Sequence, residues 1–520
     1  MKIEHWTLNI LYAKQKEATL NRLQMIQQLT TQPIWDVCII GGGATGLGAA
    51  ADSASRGFKT ILFEQHDFAK GTSSRSTKLV HGGVRYLQQG NVKLVMEALK
   101  ERGLLMKNAP HLVHNQKFVV PNYKWWEGPF YGIGLKIYDW MAGKLGLGPS
   151  QFLSKEETLQ LAPTLDPDGL RGSIVYHDGQ FDDARLAISI AQTAAEHNGV
   201  VLNYSRVSGF LKAKNKIAGV QIKDILTGKE YEVKSKAIIN ATGIFTDDVM
   251  KMDDPHHHKI IAHSQGIHLV VDKEFLPGDT AIMIPKTDDG RVLFAVPWHN
   301  KIILGTTDTP VNKSSLEPVP HNDEIDFILS HIGRYLTKDP QLSDVRSMFA
   351  GLRPLVKGKT KKTAALSRDH LITVADSGLI TITGGKWTTY RKMAEDVIDM
   401  AIEKNKLPQK ACVTSELKLY GHDQPCYPAT STALEDIKKA VADEMCMTVE
   451  DFLSRRTRHL LLDAKSALQA APQVATIMAK EMNKDDNWIE QQINDFTRLV
   501  KNYIPSSTLK HLLRSHSDKL

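Results

Sequence analysis

Residues 35–46 read WDVCIIGGGATG, a short apolar run that passes directly into three glycines. The apolar run predicts a buried parallel strand, and the residues from the glycines to about Arg56 predict a helix. A second run after Gly57, FKTILFE at 58–64, predicts another strand. This strand–helix–strand order is typical of a βαβ unit that binds a dinucleotide.

The glycines of this segment satisfy the pattern GxGxxG. Such glycines permit a tight turn, let the backbone approach a pyrophosphate and let helix and strand pack closely, while the helix N-terminus offers N–H groups to phosphate. Glu64 ends the second strand, where a carboxylate can accept hydrogen bonds from ribose hydroxyls. The candidate contacts in the turn are Gly41, Gly43, Ala44, Thr45 and Gly46.

The fingerprint does not decide between NAD and FAD, because both contain ADP. Two later glycine turns favour FAD: NATG at 240–243 closes a predicted strand, and GGK at 384–386 begins a predicted late helix. A NAD dehydrogenase does not need three separate glycine turns for one cofactor. The additional candidate cofactor contacts are Ala241, Thr242, Gly243, Gly384, Gly385 and Lys386.

Composition narrows the class of protein. The 520 residues carry a formal net charge of +7 without a dense Lys/Arg tract, which disfavours nucleic-acid binding and suits an anionic substrate or lipid surface. The four cysteines are widely spaced without CxxC, which disfavours a disulfide framework or a metal site and favours a reducing cytosolic compartment. We find no signal peptide and no apolar stretch that would span a bilayer, so any membrane contact is expected to be peripheral.

Residues 71–87, GTSSRSTKLVHGGVRYL, resemble the flavin-loop signature of the FAD-dependent, membrane-associated respiratory glycerol-3-phosphate dehydrogenase family. GLRPL at 351–355, SRD at 367–369 and GGKWTTYR at 384–391 resemble further segments of that family in the same order. The resemblance covers roughly residues 30–505, and no EF-hand pattern follows it.

The resemblance implies roles for individual residues. Flavin contacts would come from Ser74, Ser76, Thr77, Lys78, Leu79, His81, Gly82 and Gly83. His81 would lie beside the isoalloxazine, and covalent attachment is left open. The substrate pocket would be lined by Arg85, Tyr86, His268, Arg353, Arg368, Lys386 and Thr388. No residue is assigned to a metal.

The expected chemistry agrees with these residue types. A phosphorylated polyol needs fixed cations, and Arg offers a bidentate fork for phosphate. His268 is the candidate base, because imidazole titrates near neutral pH, and Arg353 and Lys386 would stabilise a developing alkoxide. Alternatives stay open: His268 as a satisfied core residue, Arg85 on a cofactor phosphate, Arg353 as a structural donor, Arg368 paired with Asp369, and Lys386 on backbone carbonyls.

The predicted fold is α/β, with a Rossmann-like FAD-binding domain of the glutathione-reductase/D-amino-acid-oxidase type, an antiparallel-sheet substrate domain and a C-terminal α-helical domain. The predicted boundaries are an N-terminal amphipathic helix in 1–32, a discontinuous FAD-binding domain in 33–405 with pieces near 33–120, 165–250 and 350–405, an inserted substrate domain near 121–164 and 251–349, and a helical domain in 406–520.

Four segments have more than one interpretation. Residues 8–29 predict an amphipathic helix that packs on the domain behind it or faces a membrane. Residues 122–149, rich in Gly, Trp and Tyr, predict an irregular wall or cap of the active site. His256–His258 favour a solvated loop over a metal site. Arg455–Arg458 predict a solvated or interdomain salt-bridged face, with a membrane or dimer contact as the alternative.

The predicted activity is oxidation of sn-glycerol 3-phosphate to dihydroxyacetone phosphate, with hydride transfer from C2 to FAD and electrons passed to a membrane quinone. The alternatives are a glycerol-3-phosphate oxidase using oxygen and a glycine-oxidase-like amine or hydroxy-acid oxidase. We expect a cytoplasmic protein peripherally associated with the inner face of the cytoplasmic membrane, with a homodimer as the default oligomer.

Overall fold

A computed structural model of the protein describes residues 19–83, 91–357, 369–424 and 428–505. Its strands are β1 Trp35–Ile40, β2 Thr60–Phe63, β3 Leu79–Val80, β4 Val113–Asn122, β5 Gln151–Leu153, β6 Gly172–Phe181, β7 Val200–Leu202, β8 Ser205–Ala213, β9 Lys216–Asp224, β10 Glu230–Asn240, β11 Ile261–Asp272, β12 Ala281–Ile284, β13 Leu293–Trp298, β14 Lys301–Gly305, β15 Thr309–Val311, β16 Ser347–Val356, β17 His370–Val374 and β18 Ile380–Gly384.

The α-helices are α1 Arg22–Thr31, α2 Ala44–Ser55, α3 Val92–Asn108, α4 Glu127–Ala142, α5 Lys155–Leu161, α6 Asp183–Glu196, α7 Thr246–Asp253, α8 Asn322–Gly333, α9 Tyr390–Asn405, α10 Leu434–Asp443, α11 Val449–Asp451, α12 His459–Leu462, α13 Ala464–Glu481 and α14 Asp486–Val500. A π-helical turn, Phe452–Arg456, links α11 to the segment before α12.

The first sheet carries the dinucleotide fingerprint. In the described residues its order is β17-β18-β10-β1-β2-β7, extended by β9 on β10 and β8 on β9. The pairs β1–β2, β1–β10, β10–β18 and β2–β7 are parallel. Helices α2, α6 and α9 pack in one layer, and α2 contacts both of the others. Val37, Ile39 and Ile61 are fully buried, as expected for strands covered on both faces.

The second sheet is built largely from antiparallel strands. In the described residues its order is β15-β11-β14-β13-β12-β4-β6-β3, with β16 also on β11 and β5 on β6. The predicted antiparallel strands over 260–310 are therefore confirmed. Val270 and Phe349 of this sheet share a core with Leu453 and Leu460 of the C-terminal helical segment. The helical segment is thus packed directly on the substrate sheet.

Arg455, Arg456 and Arg458 are 2%, 0% and 1% exposed, which excludes them from a membrane or dimer contact. Both Arg455 and Arg456 donate to Asp67 in the loop after β2, and Arg458 Nε lies 2.7 Å from Asp182 Oδ2. These arginines hold the pKa of the Asp67 carboxyl below its usual range, against the effect of burial. The interdomain salt bridge is confirmed, whereas the solvated, membrane and dimer interpretations of this segment are wrong.

Within the described residues the N-terminal helix α1 begins at Arg22, and the part of its prediction that falls on residues 8–18 lies outside them. Met25 and Leu29 are buried, and Arg22 forms an ion pair with Asp224 at 3.1 Å. Leu23 alone of the large apolar side chains on α1 is strongly exposed, at 81%. The described portion therefore packs on the domain behind it, as the first interpretation predicts.

The prediction of an irregular segment at 122–149 is wrong, because α4 occupies most of it. One of its glycines allows close packing: a side chain at Gly132 would overlap the Phe152 ring. Among the consecutive histidines, His257 Nε2 lies 3.0 Å from Asp247 Oδ1 and His256 is exposed. In the described ranges no group of His, Cys, Asp and Glu is arranged to hold a metal ion.

Candidate active site

Three glycine turns that are far apart in the sequence meet at one edge of the first sheet. Gly41 and Gly243 follow the carboxyl ends of β1 and β10, and Gly384 ends β18. Because these strands are parallel neighbours, their ends lie side by side. The three residues have φ of +110°, +57° and +80°, which favours glycine at each position. This edge is where open parallel sheets bind their ligands.

The first turn fits a pyrophosphate. A Cβ on Gly41 would lie 2.7 Å from the Ala241 carbonyl oxygen, and one on Gly46 would lie 1.9 Å from the Gly41 carbonyl oxygen. Only glycine permits this close packing of strand and helix. Helix α2 begins at Ala44, whose amide donates to Ser73 Oγ at 2.9 Å, and the positive end of the helix dipole lies at the turn.

The Glu64 carboxylate lies beside this turn. Its two oxygens accept hydrogen bonds from the Gly42 amide at 2.7 Å and the His66 amide at 2.8 Å. Burial raises the pKa of Glu64, opposed by these backbone donors. The carboxylate is therefore fixed at the end of β2, in the place where the fingerprint requires an acceptor, and its contact with ribose stays a prediction.

A cavity of about 700 Å³ lies between the second sheet, helix α4 and the turn that follows β18 of the first sheet. Its walls come from the loop before β3, from β11 and β16 of the second sheet, from α4, and from the turn after β18. Among the predicted site residues, those that line it are Ser76, Thr77, Leu79, His81, Gly83, His268, Arg353, Gly385, Lys386 and Thr388. The predicted flavin and substrate residues thus surround one space.

Other predicted residues lie near the cavity without lining it. Ser74 is buried and its carbonyl accepts from Lys78, while the Gly82 amide donates to the Tyr138 hydroxyl at 2.8 Å. The Lys78 ammonium also donates to both oxygens of Asp183 and is fully buried. The Lys78 side chain therefore stabilises the loop without lining the cavity. Arg85, Tyr86 and Arg368 lie outside the described residues.

His268 lies in the middle of β11 and is 2% exposed. Its Nε2 lies 2.9 Å from Thr77 Oγ1, and its ring stacks on Phe349 with centroids 4.8 Å apart. Burial, with Arg353 and Lys78 as nearby cations, holds the pKa of His268 well below its usual value. This environment favours the uncharged form of the imidazole. The described residues give Nδ1 no hydrogen-bond partner.

Arg353 places a guanidinium at the same cavity. It donates to Thr306 Oγ1 at 3.0 Å and to the Thr307 carbonyl at 3.1 Å, and lies 3.4 Å from Asp308 Oδ1. Lys386 lines the cavity from the turn after β18, next to Thr388, whose hydroxyl accepts from the His81 amide at 3.3 Å. The cations Arg353 and Lys386 therefore line the same cavity as the imidazole of His268, an arrangement suited to an anionic alcohol.

The sequence analysis missed Arg75 as a residue of the site. Arg75 lines the cavity, and one of its guanidinium nitrogens lies 2.6 Å from Glu317 Oε1, whose other oxygen accepts from the Tyr503 hydroxyl. Its position in the sequence between two predicted flavin contacts, Ser74 and Ser76, could have indicated that it belongs to the site. Its ion pair with Glu317 could not be inferred from the sequence, because the two residues lie more than 200 positions apart.

The glycine turns, the edge of the parallel sheet and the adjoining cavity define a flavin-dependent oxidoreductase. Residues 36–391 match the family described as FAD dependent oxidoreductase, and residues 387–489 match the C-terminal domain of alpha-glycerophosphate oxidase. The mitochondrial glycerol-3-phosphate dehydrogenase of Mus musculus is 38% identical over an alignment that covers 92% of this chain and 75% of that protein. This chain belongs to the FAD-dependent glycerol-3-phosphate dehydrogenase family, and its cofactor is FAD.

Further comparisons agree. The mitochondrial glycerol-3-phosphate dehydrogenase of Schizosaccharomyces pombe is 37% identical over 87% of this chain and 85% of that protein. The structure of the glycerol-3-phosphate dehydrogenase from Bacillus halodurans complexed with FAD matches with a TM-score of 0.76 at 29% identity, over 93% of this chain and 98% of that one. The predicted family, fold class and cofactor are confirmed.

A more distant structure, the L-alpha-glycerophosphate oxidase of Mycoplasma pneumoniae, matches with a TM-score of 0.58 at 18% identity over 71% of this chain and 94% of that one. At that identity the likeness shows the fold alone. The described residues contain no helix that is long and apolar enough to cross a membrane.

Proposed function

We propose that this chain oxidises sn-glycerol 3-phosphate to dihydroxyacetone phosphate and passes the electrons to a membrane quinone. The observation that carries the proposal is the convergence of neutral His268 with Arg353 and Lys386 on one cavity beside the flavin-binding edge. Relatives named glycerol-3-phosphate dehydrogenase, at 37–39% identity over most of the chain, support the substrate.

FAD would be held by the glycine turns at Gly41–Gly46 and Gly384–Gly385, by Glu64 and by the loop that contains Thr77 and Leu79. When bound, it takes up the C2 hydride of the alcohol at its flavin ring. The tight backbone approach at Gly41 and Gly46 supports this placement, because neither position has room for a side chain.

The protein's own part is to bind the phosphate and accept the hydroxyl proton. Arg353 would hold the substrate anion as a fixed fork, and Lys386 would stabilise the oxygen as it loses its proton. His268 would accept that proton, since it is uncharged and its Nε2 is oriented by Thr77. An anionic substrate beside Arg353 offsets the cations that lower the pKa of His268, so the imidazole becomes a stronger base in the complex.

The electron acceptor and the location are parts of the same proposal. The quinone and a peripheral contact with the inner face of the cytoplasmic membrane are proposed from the family resemblance and the net charge of +7. A homodimer is the default expectation, to be tested by sedimentation. An oxidase of the same substrate is the second candidate, favoured by the match of residues 387–489 to the C-terminal domain of alpha-glycerophosphate oxidase.

The test is an anaerobic titration of the flavin-loaded protein with sn-glycerol 3-phosphate, followed by flavin absorbance. Bleaching with formation of an equal amount of dihydroxyacetone phosphate supports the substrate, and glycerol, glycine and L-proline serve as comparison compounds. Faster recolouring by quinone than by oxygen separates the dehydrogenase from the oxidase. A flavin that stays oxidised with the phosphate ester but bleaches with an amino acid would overturn the proposal.

A further inference from the structure

Arg75 is a buried cation in the loop before β3, the loop that the proposed function assigns to the flavin. It stands between Ser74 and Ser76 and lines the cavity of the candidate site. Its side chain is 5% exposed. The roles proposed for Arg353 and Lys386, on the substrate anion and its oxygen, do not involve this third cation.

The stem of Arg75 is packed against β16. A Cβ on Gly351 would lie 3.0 Å from Arg75 Cβ and 3.1 Å from its carbonyl oxygen, so glycine suits this close approach. One guanidinium nitrogen donates to the Ala350 carbonyl at 3.3 Å. On the same loop, Thr72 Oγ1 donates to the Leu352 carbonyl at 2.6 Å. The charge of Arg75 therefore has a fixed position relative to both the loop and the strand.

The counter-charge of Arg75 lies outside the cavity wall. The other terminal guanidinium nitrogen lies 2.6 Å from Glu317 Oε1, and Glu317 Oε2 accepts from the Tyr503 hydroxyl at 3.1 Å. Of these three described residues, Arg75 alone lines the cavity. The Met348 amide donates to the Tyr503 carbonyl at 2.9 Å, which ties the end of the C-terminal helical segment to the start of β16. The ion pair is thus oriented with its positive end at the cavity.

The two charges of this ion pair are not equally screened by water. The side chain of Glu317 is 24% exposed, against 5% for Arg75, so solvent weakens the field of the carboxylate more than that of the guanidinium. Burial works against the charge on Arg75, but Tyr503 and Glu317 together raise its pKa above the usual value, and the guanidinium keeps its proton. The cavity therefore experiences a net positive potential from this pair.

The carboxylates that line the cavity in the described residues, Asp178 and Asp308, each have a cation of their own. Asp178 Oδ1 lies 2.8 Å from an Arg102 nitrogen, and Asp308 Oδ1 lies 3.4 Å from an Arg353 nitrogen. These pairings reduce the negative potential that the two carboxylates would otherwise add. The positive end of the Arg75 pair is therefore not cancelled from across the cavity.

We propose that Arg75 raises the reduction potential of the bound flavin by holding a fixed positive charge beside it. Hydride transfer from the alcohol adds two electrons and one proton to the flavin, and hence one negative charge. A nearby cation stabilises this reduced form relative to the oxidised form. Glu317 moderates the effect, and Tyr503 holds Glu317 in place. The inference rests on the flavin placement in the proposed function, but not on the identity of the substrate.

The test is a reductive titration of the flavin-loaded full chain with dithionite and a reference dye, followed by absorbance without substrate. Arg75→Gln removes the cation, Glu317→Gln removes its counter-charge, and Arg75→Lys keeps the positive charge. Lys70→Gln is the matched control. Lys70 belongs to the same loop and lies 2.8 Å from Glu450 of the C-terminal segment, but within the described residues it does not line the cavity.

We expect Arg75→Gln to shift the equilibrium toward oxidised flavin by about tenfold, which lowers the midpoint potential by about 30 mV for a two-electron couple. Glu317→Gln should raise the potential, because it removes the opposing charge. Arg75→Lys and Lys70→Gln should stay near the parent value. Opposite shifts in the first two variants are the signature of a charge effect, since damage to the loop alone would affect both in the same direction.

Shifts of Arg75→Gln and Glu317→Gln in the same direction, or no shift in either, overturn the proposal. If Arg75→Gln fails to retain flavin, an unchanged or lowered potential in Glu317→Gln still overturns it. A raised KM for sn-glycerol 3-phosphate with an unchanged potential assigns Arg75 to the substrate and also refutes it. A protein that shows the expected shifts but is not reduced by sn-glycerol 3-phosphate contradicts the proposed function instead and supports this inference.

Discussion

The ammonium of Lys78 lies 2.7 Å from a carboxylate oxygen of Asp183, and both side chains are completely buried. Asp183 also accepts from the Ser76 amide and hydroxyl, and Lys78 donates to the Ser74 carbonyl. The residues on both sides of Thr77 are therefore hydrogen-bonded to one buried ion pair. Because Thr77 in turn contacts His268, this pair fixes the geometry of the candidate base from outside the cavity.

Asp183→Asn should lower the free energy of unfolding by about 3–5 kcal/mol, because it leaves a buried ammonium without a counter-charge. We also expect faster loss of FAD, measured by flavin fluorescence after dilution. The double variant Lys78→Met/Asp183→Leu removes both charges and should recover part of the stability. Wild-type stability and flavin retention in Asp183→Asn would show that the pair is dispensable.

The pH dependence of turnover should report the environment of His268. Its pKa is held well below the usual value of about 6.5 by burial and by Arg353, so the free protein keeps it neutral as the pH falls through that value. We expect kcat/KM to fall on the acid side only below that pH. We expect kcat to fall at a higher pH than kcat/KM, since bound substrate raises the pKa of His268.

The same pH series with Thr77→Val separates orientation from charge. Loss of the hydroxyl that contacts Nε2 should lower kcat with little change in the pH at which the acid limb of the profile falls. Acid limbs at the same pH for kcat and kcat/KM in the parent protein would argue that His268 is not the group that accepts the proton.

The interdomain ion pairs should differ in strength according to burial. Asp67→Asn removes the shared partner of Arg455 and Arg456, both buried, and should cost about 3–5 kcal/mol in urea unfolding. Glu416→Gln breaks the ion pair between Glu416 and Lys107, whose side chains are 70% and 59% exposed, respectively. This substitution should cost no more than about 0.5 kcal/mol. Equal effects of the two substitutions would contradict the assignment of Asp67 as an interdomain tie.

Gly46→Ala should abolish FAD binding, because its Cβ would lie 1.9 Å from the Gly41 carbonyl and push the helix from the strand. Gly134→Ala is a suitable control, since nothing lies within 4 Å of the added methyl group and the residue lies inside helix α4, where alanine is readily accommodated. The ratio of flavin to protein absorbance after purification gives the result. Full flavin content in Gly46→Ala would refute the placement of the pyrophosphate.

The glycine turns were predictable because each requires a backbone that only glycine adopts easily, and that requirement is written in the sequence next to an apolar strand. Helix α4 was not, because its outward side is aromatic rather than polar and its glycines suggest a break. The burial of Arg455–Arg458 could not be predicted either. A run of arginines is typical of a solvated surface, and their carboxylate partners, such as Asp67, are distant in the sequence.

The meeting of Gly41, Gly243 and Gly384 at one edge bears on biosynthesis. A ribosome that has finished β1, α2 and β2 has already made the complete fingerprint, yet the turn that closes the flavin end emerges only with β18. A fragment that stops between Gly243 and Gly384 would contain every residue of the motif and hold no flavin. Yellow colour in this protein is thus a mark of a chain translated at least through Gly384.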